Sequence, residues 1–227
     1  MIAENYKKVL ERIRSLALQA GRNPEDIILV AVTKTWPVET IEEVIRAGAR
    51  VLGENYVQEA LPKVEAIGNR VEWHFIGHLQ SNKAKLVTGR FNMIESVDSV
   101  SLAKELNKQA EKQGIDVDVL VEVNLAGEES KSGIKPEEIE RFLREISQFK
   151  RIKVKGLMTI PPYFSNPEDS RPYFKRLREL KGKLANMSIP DISLQHLSMG
   201  MSNDFEVAIE EGATIVRVGT AIFGVRE

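Results

Sequence analysis

Ile27-Ile28-Leu29-Val30-Ala31-Val32-Thr33 is an uncharged, mostly apolar stretch that ends on Lys34 and is followed, from Val38 to Ala47, by apolar positions at helical spacing. The first segment reads as a strand and the second as a helix. The alternation then continues along the chain. Strands are expected at Arg50 to Leu52, Trp73 to Ile76, Met93 to Ser96, Asp116 to Asn124, Val154 to Met158, Ser193 to Leu197 and Thr214 to Val218. Between them fall helices at Val57 to Ala66, Asn82 to Val87, Ser99 to Gln113, Pro136 to Gln148, Pro167 to Asn186 and Asn203 to Glu210. Upstream, residues 4 to 20 place Tyr6, Val9, Leu10, Ile13, Leu16 and Ala17 on one helical face, and Gly21 and Pro24 end that helix.

Strand–helix alternation through a whole chain calls for parallel pairing with helices outside the sheet. Eight such units in 227 residues suit a closed (β/α)8 barrel of the TIM type better than an open sheet. Only nine residues follow Val218, so the N-terminal helix is expected to take the place of the final helix, with residues 1–227 forming one domain. The longest loops, around Gly127 to Gly133 and Pro161 to Pro167, both follow strands, on the face where barrels place function.

Composition narrows the chemistry. Lys plus Arg number 32 and Asp plus Glu 33, a net charge of -1 with no dense basic stretch, which argues against nucleic acid. There is no cysteine, so disulfides and thiol nucleophiles are excluded, and three scattered histidines offer little for a metal centre. Residues 1 to 10 read as an amphipathic helix rather than a signal peptide, and no apolar run reaches membrane-spanning length, so a cytoplasmic protein is expected.

Val30, Val32 and Lys34 share one parity, so if the valines fill the barrel interior the lysine emerges at its C-terminal mouth. A lysine among apolar neighbours loses ammonium stability and can attack an aldehyde, forming a Schiff base. Taken by periodicity alone, the simpler reading is a lysine that reaches solvent or pairs with a carboxylate such as Glu54. Leu197-Ser198-Met199-Gly200-Met201-Ser202-Asn203-Asp204 and Val218-Gly219-Thr220-Ala221 read as small-residue turns after strands seven and eight, the recurrent phosphate site of this barrel. Ser198 and Thr220 add hydroxyls there, while a plain helix cap through Ser202 or Asn203 is the alternative. Arg217, just before the second turn, could face a ring nitrogen of a phosphorylated ligand or form a structural ion pair.

Seven stretches together resemble the pyridoxal phosphate homeostasis proteins, the YggS/PROSC family, which share the barrel of the alanine racemase N-terminal domain. They are Ala31-Val32-Thr33-Lys34-Thr35, Gly53-Glu54-Asn55-Tyr56-Val57-Gln58-Glu59, His74-Phe75-Ile76-Gly77-His78-Leu79-Gln80-Ser81-Asn82-Lys83, Lys131-Ser132-Gly133, Gly156-Leu157-Met158, the Leu197 to Asp204 segment, and Arg217-Val218-Gly219-Thr220-Ala221-Ile222-Phe223-Gly224. The resemblance spans nearly the whole chain. It implies that pyridoxal 5′-phosphate (PLP) is carried on Lys34, that Arg217 faces its pyridine nitrogen, and that Ser198, Gly219 and Thr220 hold its phosphate, with Met199 and Gly200 completing that turn. It further implies that Asn55 and Met158 line the cofactor ring and that Lys131 makes a second cofactor contact, against the reading of Lys131 as a solvated surface lysine. His78 and Lys83 could add to the mouth, or could serve as helix-capping and surface groups.

The expected function is storage, buffering or delivery of PLP by a monomer with no robust catalysis, with PLP-dependent apo-enzymes as recipients. An amino-acid racemase is the alternative; it would need Tyr56, Tyr163 or His78 as a base on the opposite substrate face. A Schiff-base aldolase is a third reading, against which Arg217 and the full-length resemblance count.

Overall fold

The structure is a computed structural model and describes residues 1–128, 132–187 and 189–224. Its eight strands form a closed barrel in chain order, with every neighbouring pair parallel, β8 closing onto β1. The strands are β1 (Ile28–Val32), β2 (Val51–Glu54), β3 (Glu72–Phe75), β4 (Met93–Val97), β5 (Val117–Glu122), β6 (Ile152–Met158), β7 (Ile192–Met201) and β8 (Ile215–Val218). The helices are α1 (Ile2–Gln19), α2 (Val38–Arg46), α3 (Val57–Ile67), α4 (Ala84–Val87), α5 (Val100–Gln113), α6 (Ile139–Ile146), α7 (Arg171–Ala185), α8 (Phe205–Glu210) and α9 (Thr220–Phe223). None of the described helices is long and apolar enough to cross a membrane.

Alternate residues of each strand serve two separate cores. Inside the barrel, Val30, Val51, Met93, Leu120, Met158 and Ile215 pack into one plug. On the outer face, Leu29, Ala31, Leu52, Ile94, Val119 and Leu197 join the helices in the larger core. Two positions further along β1, β4, β5 and β8 on the inward parity stand Val32, Glu95, Glu122 and Arg217, all buried. Apolar filling therefore gives way to charge at the C-terminal end of the barrel.

α1 occupies the flank expected of a final helix. It buries Tyr6, Val9, Ile13, Leu16 and Ala17 and touches α2, α8 and α9. Polar ties fix that seat: Asn5 Nδ2 donates to the Ile222 carbonyl at 3.1 Å, and Arg12 pairs with Glu206 at 2.5 Å.

Several boundaries differ from the sequence reading. β7 runs four residues past Leu197, because Met158, Ile215 and Arg217 on its neighbours continue the ladder to Ser198 and Met201. The segment before α4 winds as a 3-10 turn over Ser81–Lys83, and α7 is likewise preceded by one over Pro167–Ser170. After β8 the chain forms the single-turn α9, too short to show a helical period in the sequence.

Candidate functional site

A cavity of about 700 Å³ opens at the C-terminal mouth between β1, β2 and β8. β1 delivers Val32 and then Lys34 to its wall, as their shared parity requires. Just after β2 comes Asn55, whose Oδ1 is buried and accepts no hydrogen bond among the described residues. β8 brings Arg217, and the turn after it brings Gly219 and Thr220. Trp36, stacked on Phe223 at 5.6 Å, and Tyr163 and Phe164 from the loop after β6 form the outer rim. Tyr163 is 80% exposed.

Arg217 is the electrostatic centre of this floor. It is 4% exposed, and its guanidinium donates to Ser198 Oγ and, at 2.9 Å, to the Thr159 carbonyl. Glu95 stands 3.8 Å away. Burial pulls the guanidinium below its ordinary pKa, while the carboxylates of Glu95, Glu122 and Asp204 oppose that shift. Glu95 is itself fully buried. Burial alone would push its carboxyl up, yet the His74 bond at 2.6 Å, the Arg217 charge and the Ser198 hydroxyl together hold it below the usual carboxylate range. Glu122 goes the other way. Burial, with repulsion from Asp98, pushes it up to about 7 against the pull of Arg217. Asp98 is also raised, chiefly by burial, despite His78 at 3.4 Å.

The turns after β7 and β8 are joined by one hydroxyl: Ser202 Oγ accepts from the Gly219 and Ala221 amides at 3.1 and 3.2 Å. Neither Ser202 nor Asn203 caps α8. Asn203 instead donates to the Phe164 carbonyl at 2.9 Å, tying the rim loop to the β7 turn, and Asp204 accepts from the Met201 amide and from Ser170. The cavity wall thus gathers an amine, a buried guanidinium, an unpaired amide oxygen and a patch of hydroxyl and backbone N–H groups.

Not every expected residue reaches that wall. Lys34, Asn55, Arg217, Gly219 and Thr220 do. Ser198, Met199 and Gly200 do not form a turn: they are the last rungs of β7. Ser198 lies fully buried beneath Arg217, Met199 points outward into the helix-side core, and Gly200 packs against α8. Gly200 has φ 93°, and a Cβ there would stand 2.5 Å from Ala208 Cβ, so α8 can begin tight against the strand only over a glycine. Met158 sits in the interior plug. His78 is exposed near Ser132 and Asp98, and neither it nor Lys83 lines the cavity. Lys131 lies outside the described residues. Glu54, weighed as a partner for Lys34, bonds Thr33 and Lys63. The sequence reading missed Glu95 and Glu122, and weighed Ser202 as a helix cap only. The inward parity of the two carboxylates with Met93 and Leu120 was the available signal.

The alanine racemase N-terminal domain family matches residues 5–227. A relative from Aquifex aeolicus named pyridoxal phosphate homeostasis protein is 50% identical over 225 residues, 99% of this chain and 98% of its own. An unknown protein from Bifidobacterium adolescentis superposes with a TM-score of 0.92 at 40% identity, over 97% of this chain and 94% of that one. PipY of Synechococcus elongatus, solved with PLP bound, superposes with a TM-score of 0.84 at 35% identity, over 99% of this chain and 100% of its own. The chain therefore belongs to the pyridoxal phosphate homeostasis proteins, within the alanine racemase N-terminal domain family.

Proposed function

We propose that this chain, acting over residues 1–227 as one unit, binds PLP in the cavity at the barrel mouth and serves its intracellular homeostasis by storing, buffering or delivering it. The observation that carries the reading is the convergence of Lys34, Asn55, Arg217, Gly219 and Thr220 on one 700 Å³ cavity. The donor set fits the group. Lys34 supplies the amine that takes an aldehyde as a Schiff base with loss of water. Asn55 Oδ1 offers an unused acceptor, and Thr220 with Ser202, whose Oγ already accepts from the Gly219 and Ala221 amides, supplies hydroxyl donors suited to phosphate. The PLP-bound relative PipY and the name of the Aquifex relative support the same reading.

When bound, PLP supplies an electrophilic aldehyde and a pyridine ring that draws electrons best when protonated. Arg217 has only donors to offer and keeps its charge beside Glu95, so a ring nitrogen facing it stays unprotonated. That favours holding the cofactor over using it. The same proposal includes a monomer in the cytoplasm and PLP-dependent apo-enzymes as recipients. A racemase is the second reading, since Tyr163 stands on the cavity rim; deuterium incorporation at an amino acid's α-carbon tests it.

Purified protein should be yellow or turn yellow with added PLP, lose that absorbance on borohydride reduction, and then carry a pyridoxyl mass on Lys34. Lys34→Ala should abolish the band. A colourless protein unchanged by PLP, or a band that survives in Lys34→Ala, overturns the assignment.

A further inference from the structure

The Gly53 to Glu59 stretch enters the cavity only through Asn55, yet two of its carboxylates converge on the other side of the loop that carries Lys34. Lys63, on α3 and 6% exposed, donates from Nζ to the Thr33 carbonyl at 2.9 Å, to Glu54 Oε1 at 2.8 Å and to Glu59 Oε1 at 2.6 Å. Glu59 Oε1 in turn accepts from the backbone N–H of Thr35, and Glu54 Oε1 accepts from Thr33 Oγ1 at 2.6 Å. The residues on both sides of Lys34 are therefore tied to one buried ammonium and its two carboxylates. Thr35 has φ 65°, a left-handed conformation that a β-branched residue adopts only where its surroundings impose it. The Glu59 carboxylate on its N–H and the Trp36 amide bonded to the Thr33 carbonyl at 3.1 Å impose it here.

We propose that Glu59, itself held by Lys63, is a positioning residue that locks the Lys34–Thr35 backbone and so aims the Lys34 amine into the cavity. The inference rests on the PLP-binding reading above. Without the Glu59 carboxylate the loop relaxes toward ordinary φ values and the binding-competent geometry becomes a minor population. A competent fraction near one in ten lowers apparent affinity about tenfold.

The test titrates the full-length cofactor-free protein with PLP, reads the borohydride-sensitive band, and compares Glu59→Ala, Glu59→Asp, Glu59→Gln and the core control Val44→Ala. Glu59→Ala and Glu59→Asp, whose shorter chain withdraws from Thr35, should each raise the half-saturating PLP concentration about tenfold. Glu59→Gln keeps an acceptor at that place and should stay within about twofold, as should Val44→Ala even though its Tm falls. In the absence of PLP, amide hydrogen exchange at Thr35 should quicken in Glu59→Ala and Glu59→Asp alone. Glu59→Asp keeps the measurement open should Glu59→Ala not fold. Wild-type affinity in the two Glu59 truncations, or an equal loss in Val44→Ala, overturns the positioning role. A wild-type protein that forms no band, or a band that persists in Lys34→Ala, overturns the PLP reading instead.

Discussion

Glu122 makes the barrel's stability depend on pH in a direction opposite to that of an ordinary salt-bridged carboxylate. It is 7% exposed at the end of β5, and burial with the nearby Asp98 charge raises it from 4.5 to about 7. Between those values the folded protein keeps a proton that the unfolded chain has released. Stability from this group is therefore full below the unfolded pKa and is lost as pH rises through about 7. The difference corresponds to about 3 kcal/mol at pH 8. Glu122→Gln replaces the protonated acid by a neutral group of the same shape. It should lie within about 1 kcal/mol of the wild type near pH 5 and exceed it at pH 8 by about 3 kcal/mol, roughly 6–12 °C in Tm for a chain of this size. Urea unfolding of cofactor-free wild type and variant in parallel from pH 5 to 8 measures the gap, and comparing the two cancels the contribution of Asp98 to first order. Two stability curves that run parallel across that range would refute the reasoning.

Two further substitutions probe the floor and mouth of the barrel. Glu95→Gln removes the carboxylate 3.8 Å from Arg217 and 2.6 Å from His74, leaving a buried guanidinium under-compensated; a loss of about 3–5 kcal/mol in urea unfolding is expected. Gly77→Ala places a Cβ 2.2 Å from the Asn55 carbonyl, so it should cost about 1–3 kcal/mol and weaken PLP binding by displacing Asn55, whereas unchanged affinity would detach Asn55 from the site.

The barrel was legible because most strands are short, largely apolar and followed by a helical period, and the parity of Val30, Val32 and Lys34 carried that lysine to the mouth. The end of β7 was not. Ser198-Met199-Gly200 has the composition of a turn, and only the rungs supplied by β6 and β8 keep it extended. Lys63 was hidden for a related reason: four residues after Glu59 on a helix it reads as a surface pair, and its burial depends on a strand-end carboxylate, Glu54, brought from outside the helix. The polar layer of His74, Glu95, Glu122 and Arg217 comes from four different strands, so strand parity could mark each residue as inward but no local spacing shows that they meet.

The seam where β8 meets β1 carries a consequence for how the protein is made. Lys34 leaves the ribosome well before Arg217 and Thr220, and only ring closure brings them to one wall. α1 is synthesised before Glu206 and Ile222, so until those residues exist its stripe of Tyr6, Val9, Ile13 and Leu16 can pack on α2 but lacks the α8 and α9 side of its seat. α1 is thus fully seated only after β8 has formed, and a nascent chain cannot grip the cofactor before that strand arrives.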